Sequence, residues 1–249
     1  MSCCPADGLP AAPTTSPLVP ENIEGTDIFY FDNPNSHVAV LAFPDVYGPD
    51  SGRTKQLCAD LSKHYKVALV DICDGDYRTA TSDRSQFATW AQERPFEKLK
   101  VKIDAIIKHL QTERGVTKFG AMGFCYGAWI VARLSAEPSS VLSAGISFHP
   151  SWHANDVFHG EGSAEKIAHD IQVPQSVLTA GNDRDWLKPG GSVEQTLQAK
   201  GVPSRFREFP NMVHGWVIRG DLADQGILKG FHDAWVDEAL PFLKEHLVQ

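Results

Sequence analysis

The chain has 249 residues, 42% hydrophobic and 10% aromatic, enough to bury a substantial core, and one α/β domain is the simplest solution at that length. Its 31 acidic against 23 basic side chains leave a formal net charge of −8 at pH 7 with no basic stripe, which argues against nucleic acid and anionic membranes as partners. No stretch approaches the roughly 18 apolar residues of a bilayer span. The odd set Cys3, Cys4, Cys58, Cys73 and Cys125 forms no disulfide framework, so a reducing, cytoplasmic setting is expected.

Residues 1–20 carry neither a charged n-region nor an apolar h-region, so they do not read as a secretory signal. Rich in Pro, Ala, Thr and Ser, they read as an irregular extended arm, for which docking to a partner is a composition-only reading. Cys3 and Cys4 are adjacent, which suits neither a mutual disulfide nor a metal site with spaced ligands. Ile28–Phe31 is a short strand, ended by Asp32-Asn-Pro-Asn35. Val38–Phe43 is a continuous apolar run, as expected of a strand buried on both faces of a largely parallel sheet. A loop, Pro44-Asp45-Val46-Tyr47-Gly48, follows it, then a helix from Arg53 to His64 and a second buried strand at Val67–Val70.

From Tyr77 to Pro95 the pattern is irregular and aromatic, with Phe87 and Trp90 near Arg84, a composition suited to covering a pocket. Lys98–Leu110 is a clearer helix, with Leu99, Ile103, Ile106, Ile107 and Leu110 on one stripe and Gly115 as its stop. A strand around Phe119 precedes position 125, and a helix follows it until Pro138. Ser143–Phe148, Val177–Ala180 and Arg205–Phe209 supply further strands, with a polar, weakly patterned stretch at 152–170 and a helix near Val193–Ala199. Phe231–Leu247 is helical, with Pro241 as a kink or break. Strands alternating with helices predict a mostly parallel sheet covered on both faces, without repeats or a domain linker.

Between the Phe119 strand and its helix lies Gly123-Phe-Cys125-Tyr-Gly127. In a strand–turn–helix setting, Gly-x-Cys-x-Gly suits a nucleophile elbow, with the central side chain strained above the sheet at a helix N-terminus. The helix dipole there favours a thiolate and the oxyanion it generates. A buried structural cysteine in a βα turn is the bland alternative for the pentapeptide alone.

Ligand crevices of open α/β sheets lie beyond the carboxyl ends of the strands. Asp183 follows the Val177 strand within Gly181-Asn-Asp183-Arg-Asp185, and His214 follows the Arg205 strand. Asp183 comes 58 residues after Cys125 and His214 a further 31 after Asp183, the order nucleophile, acid, histidine. Cys125 is therefore expected to attack an acyl carbon, His214 to handle the proton and Asp183 to hold the imidazole, with Asp185 as a rival for that carboxylate. The backbone N–H groups of Tyr126 and Val46 are the expected oxyanion donors. Taken singly, Asp183 reads as a turn residue and His214 as one of ten histidines; their order at successive strand ends makes the triad the stronger reading.

With Gly123–Gly127, Gly181-Asn-Asp183 and His214-Gly-Trp216 in place, the chain resembles the dienelactone hydrolase family from about Phe29 onward. The start Met1-Ser-Cys-Cys-Pro5 resembles that of its eukaryotic members. The resemblance implies an α/β-hydrolase fold with a Cys-Asp-His triad and hydrolysis of a small lactone or activated ester through an acyl-enzyme. It implies no metal and no cofactor; a monomer or homodimer is expected. It further implies a thiol guarded by a first-loop carboxylate; the bacterial pattern has Glu, and this chain has the shorter Asp45. Arg219, one residue later than the bacterial spacing, and Arg84, near Trp90 at a compressed spacing, are the implied carboxylate-binding arginines, with surface arginines as the alternative. The strand end His149-Pro150-Ser151, and Trp216, are expected to line the pocket. A non-hydrolytic binding protein on the same scaffold is the competing class.

Overall fold

In the computed structural model, which describes residues 4–248, eight strands form one sheet. Glu21–Ile23 (β1), Thr26–Phe31 (β2), Val38–Phe43 (β3), Lys66–Val70 (β4), Lys118–Phe124 (β5), Leu142–Phe148 (β6), Gln175–Ala180 (β7) and Ser204–Phe209 (β8) lie in the order β1-β2-β4-β3-β5-β6-β7-β8. β2 pairs antiparallel with β1 and β4, and all other pairings are parallel. This is the mostly parallel sheet expected from the alternating pattern, in the α/β-hydrolase arrangement that the resemblance implies. β1, three residues without an apolar period, carried no signal in the sequence.

Side chains alternate across a strand, so a run buried on both faces feeds two cores. In β3, Ala39, Leu41 and Phe43 enter one layer with Leu99, Ile103 and Ile106 of helix Phe96–Arg114, while Val38, Val40 and Ala42 enter the other with Leu57, Cys58 and Leu61. The helices are Thr54–Leu61 (α1), Phe87–Gln92 (α2), Phe96–Arg114 (α3), Tyr126–Ser135 (α4), the single turns Asp156–His159 (α5) and Ser163–Lys166 (α6), Ser192–Ala199 (α7), Trp216–Arg219 (α8), Gln225–His232 (α9) and Leu240–His246 (α10). α3 outruns its predicted limits at both ends. It stops at Gly115, which takes φ 64, a left-handed cap where glycine meets no Cβ penalty.

Two stretches differ from the sequence reading. Residues 152–170 are a chain of short turns pinned by buried Trp152, Ala164, Ile167 and Ala168, each turn too brief to show a helical period. The C-terminal helix starts earlier, at Gln225, and the predicted break at Pro241 is absorbed. A π-helical stretch, Asp233–Ala239, precedes Pro241, which then occupies the first turn of α10. A wider turn just before proline accommodates its missing N–H. No helix among the described residues is long and apolar enough to cross a membrane.

Candidate active site

The pentapeptide forms a tight turn between β5 and α4. Cys125 takes φ 54 and ψ −112, a conformation unfavourable for a residue with a Cβ. It is held there by its own N–H donating to Phe148 O at 3.1 Å and by Ser151 N donating to Cys125 O at 3.0 Å. Both flanking glycines are required by close approach. A Cβ at 123 would overlap the Gly127 backbone, and one at 127 would overlap the Phe43 and Pro44 carbonyls. The second contact presses the start of α4 against the loop that carries Asp45 and Val46. Gly127→Ala is accordingly expected to destabilise the protein by about 3 kcal/mol, a strained small-to-large change, and to lower hydrolysis by shifting that loop. Thermal denaturation and an ester assay on the same sample check both effects.

His214 and Asp183 meet at the ends of β8 and β7. His214 Nδ1 lies 2.6 Å from Asp183 Oδ1, and Asp183 Oδ2 accepts from Ala180 N at 2.7 Å, so the carboxylate is fixed at both oxygens. The His214 backbone N–H donates to Asn182 Oδ1 at 2.7 Å. Asp185 does not compete: its side chain is 94% exposed and pairs with Lys188. Burial works against charge on His214, but the Asp183 carboxylate and the thiols of Cys125 and Cys4 outweigh it and hold the imidazole well above 6.5. Its Nε2 is buried with no hydrogen-bond partner.

Cys125 is fully buried. Its Sγ lies 3.3 Å from Ser151 Oγ and 3.5 Å from Cys4 Sγ. Donor atoms of Cys4, Cys125 and His214 all fall within 4.8 Å of one another, a set that also matches the ligand preferences of a soft metal ion. Ser151 belongs to the expected pocket-lining strand end His149-Pro150-Ser151, whereas Cys4 is not among the expected site residues. Ser151 follows β6 directly, whereas Cys4 arrives from a segment 121 residues away that has no periodic signal.

Asp45, the expected guard of the thiol, lies within electrostatic range of Cys125 and is bonded to its own loop and to Arg219. Its Oδ1 accepts from Tyr47 N at 2.9 Å, and its Oδ2 accepts from Ser51 Oγ at 3.0 Å and from Arg219 Nη1. Both side chains of this ion pair are buried. Burial lifts the Asp45 carboxyl to about 6, against the pull of Arg219 and with the nearby Cys125 adding to the rise. For Arg219 burial opposes charge, but Asp45 outweighs it and the guanidinium is held above its ordinary value. Arg219 Nε and Nη2 are buried without partners.

The remaining predicted residues separate into lining and support. Arg84 sits at a rim, its Nη1 donating to Pro5 O at 2.8 Å, and so holds the N-terminal arm. Trp90 lines neither cleft beside Cys4; it packs on Tyr126 at 5.3 Å and donates from Nε1 to Asp76 O. Trp216 is buried between Phe209 and His149 and belongs to the core. His149, at φ 37, places its ring 4.9 Å from His214. Burial, then the charges of His214 and Arg219, hold His149 well below 6.5, so it is a neutral neighbour of His214. Cys4 lines a cleft of about 420 Å³ together with Pro150, His153 and Asp183, and a smaller cavity with Val46, Tyr47 and Arg84.

Known proteins are similar to this chain in sequence and in fold. The model of the dienelactone hydrolase family matches residues 28–246. A carboxymethylenebutenolidase homolog from Xenopus tropicalis is 31% identical over 198 residues, covering 76% of this chain and 75% of its own length. Dienlactone hydrolase 1 of Gibberella moniliformis is 28% identical over 258 residues, covering 95% and 92%. Among solved structures, a dienelactone hydrolase-like promiscuous phosphotriesterase from metagenomic libraries superposes with a TM-score of 0.62 at 18% identity, covering 88% of this chain and 92% of its own. Dienelactone hydrolase from Anabaena variabilis gives 0.57 at 14%, covering 92% and 96%. At such identities the structural likeness speaks for the fold. The family match runs from within β2 to the last residue of α10, and the chain therefore belongs to the dienelactone hydrolase family, as a hydrolase of carboxylic ester bonds.

Proposed function

We propose that this hydrolase acts on small lactones or activated esters through an acyl-enzyme on Cys125, with His214 and Asp183 completing a triad. The observation that carries the reading is the His214 imidazole, anchored through Nδ1 on Asp183 with Nε2 unpartnered beside the Cys125 thiol. The elevated basicity of His214 favours a thiolate–imidazolium pair. The thiolate attacks the carbonyl carbon, and the oxyanion is received by the Tyr126 and Val46 N–H groups, the first at the N-terminus of α4. Collapse releases the alcohol or enol, protonated by His214, and the opened lactone stays tethered as a thioester. A water, deprotonated by His214, then frees the acid and restores the thiol. No step calls for a metal or cofactor.

The names of the relatives point to enol-lactones such as dienelactone as the first substrates to try. The unpartnered Nε and Nη2 edge of Arg219 supports a substrate that carries a carboxylate. The odd count of five cysteines suits a reducing, cytoplasmic setting.

The direct test is an acid quench during turnover of an aryl ester, followed by peptide mass analysis. An acyl adduct on the tryptic peptide 119–133, which contains Cys125 as its sole cysteine, is the expected result; an adduct confined to other peptides would sink the reading. A second check uses pH. A thiolate–imidazolium pair loses activity on the alkaline side as His214 deprotonates. Because Asp183 raises His214, Asp183→Asn is expected to move that alkaline limb of kcat/KM downward, toward 6.5. An unmoved limb would remove Asp183 from its positioning role.

A further inference from the structure

The N-terminal arm lies across the site and is tied to it from several sides. Pro5 O accepts from Arg84, Asp7 Oδ1 accepts from Asn182 Nδ2 at 2.9 Å, and Leu9 N donates to His214 O at 2.9 Å. Farther along, Pro13 bridges to Ser51 and Thr14 N donates to Asp50 O at 2.9 Å. Arg84, Asn182 and His214 come from three separate segments around the cleft. The thiol of Cys4, only 6% exposed, is delivered by this framework to 3.5 Å from Cys125 Sγ. Cys58 and Cys73 are fully buried elsewhere, and burial pushes both thiols up, away from reactivity.

We propose that Cys4 and Cys125 are a reversible redox pair: a hydroperoxide oxidises Cys125, and Cys4 captures it as an intramolecular disulfide that latches the arm over the active site. The proposal rests on Cys125 being the activated thiol of the hydrolase mechanism. In the first step the Cys125 thiolate attacks one peroxide oxygen, an S–O bond forms, the O–O bond breaks, and the departing hydroxide takes a proton to become water. In the second step the Cys4 thiol gives up its proton and attacks Cys125 Sγ. The S–S bond forms as the S–O bond breaks, and the hydroxide leaves as a second water. Two thiols are oxidised by two electrons in total, and one hydrogen peroxide is reduced to two waters.

Geometry favours this outcome over deeper oxidation. Peroxide is close to water in size and fits the cleft of about 420 Å³ that Cys4 lines with Asp183. A sulfenic acid formed at Cys125 meets Cys4 before a second peroxide, which keeps the thiol off the irreversible rungs of sulfinic and sulfonic acid. The sulfurs must close by about 1.5 Å to reach bonding distance. Residues 4–9 of the arm are irregular chain outside the eight-stranded sheet, so their displacement breaks no pairing of that sheet. A dithiol reductant reverses the bond and frees the cleft.

The test uses the full chain, reduced, transferred to thiol-free buffer with a chelator and treated with hydrogen peroxide. Remaining thiols are alkylated and tryptic peptides mapped by mass spectrometry. The expected result is a cross-link between peptides 1–53 and 119–133, present in Cys3→Ser and absent in Cys4→Ser. Ester hydrolysis, normalised to each protein's untreated rate, should fall in the wild type and return with dithiothreitol. In Cys4→Ser the loss should become irreversible, with sulfinic or sulfonic acid on peptide 119–133. Absence of the cross-link in wild type, its persistence in Cys4→Ser, or equal recovery by both proteins would overturn the pair. Cys125→Ala in the same ester assay separates the two ideas. Full turnover in that variant discards the nucleophile, whereas an inactive Cys125→Ala with no cross-link in wild type discards the redox pair alone.

Discussion

Replacing Cys125 by alanine is expected to lower kcat for aryl esters and lactones by about 10⁴–10⁶-fold, the range lost when the nucleophile of a triad is removed. The fold should survive. Deleting one buried sulfur costs on the order of 1 kcal/mol, and the hydrogen bonds that hold the elbow, Cys125 N to Phe148 O and Ser151 N to Cys125 O, are backbone bonds that alanine keeps. Cooperative unfolding near the wild-type temperature, paired with lost turnover, is the combination that identifies a chemical role. Turnover within a few fold of wild type would dismiss Cys125 as nucleophile, whatever its position above the sheet. Cys125→Ser is expected to recover little, because the proposed mechanism sets an imidazolium, raised by Asp183, beside a thiolate. A serine hydroxyl, far less acidic than a thiol, does not form that pair at rest.

The parts of this molecule legible in the sequence are those governed by local rules. β3 was readable because six consecutive apolar residues feed two cores at once, and its observed limits, Val38–Phe43, are those of the run. The elbow was readable because two glycines are forced by close backbone approach. Asp183 and His214 stood out only through the topology that sends successive strand ends to one edge. The arm was not readable. Its Pro, Ala, Thr and Ser carry no period, and its anchors on Arg84, Asn182 and His214 are single hydrogen bonds to residues distant in sequence. Arg84 is an example of the consequence. Its neighbours suggested a carboxylate ligand, but its hydrogen bond goes to the arm's Pro5 carbonyl. Likewise the one-methylene difference between Asp45 and the longer acid of the bacterial pattern does not reveal its partner. A shorter side chain anchored by Tyr47 N and Ser51 Oγ is drawn into its own loop, where Arg219 meets it.

That ion pair leads to the second large effect. Arg219→Met is expected to destabilise the protein by about 3–5 kcal/mol, because it strands a buried carboxylate without its counter-charge. Asp45→Asn should cost a similar amount by stranding the guanidinium, whose Nε and Nη2 are already without partners. The double variant Asp45→Asn/Arg219→Met removes both charges and should regain most of the loss, since replacing a buried pair together is often near neutral. Denaturant unfolding of the four proteins gives the cycle; additive single effects would show that the pair is not coupled. The pH dependence has a definite sign. Burial raises the Asp45 carboxyl from 3.8 to about 6, so the folded state holds this proton more tightly than the unfolded chain. This group therefore subtracts stability as pH rises from about 4 to 6, and Asp45→Asn should abolish that component of the slope. Activity separates structure from recognition. If Arg219 only supports the loop, the stable double variant treats anionic and neutral esters alike. If its free edge grips a substrate carboxylate, KM for the anionic ester stays raised in the double variant while the neutral ester recovers. That second pattern is the one expected under the proposed function, because the pair with Asp45 occupies only Nη1 and leaves Nε and Nη2 without protein partners.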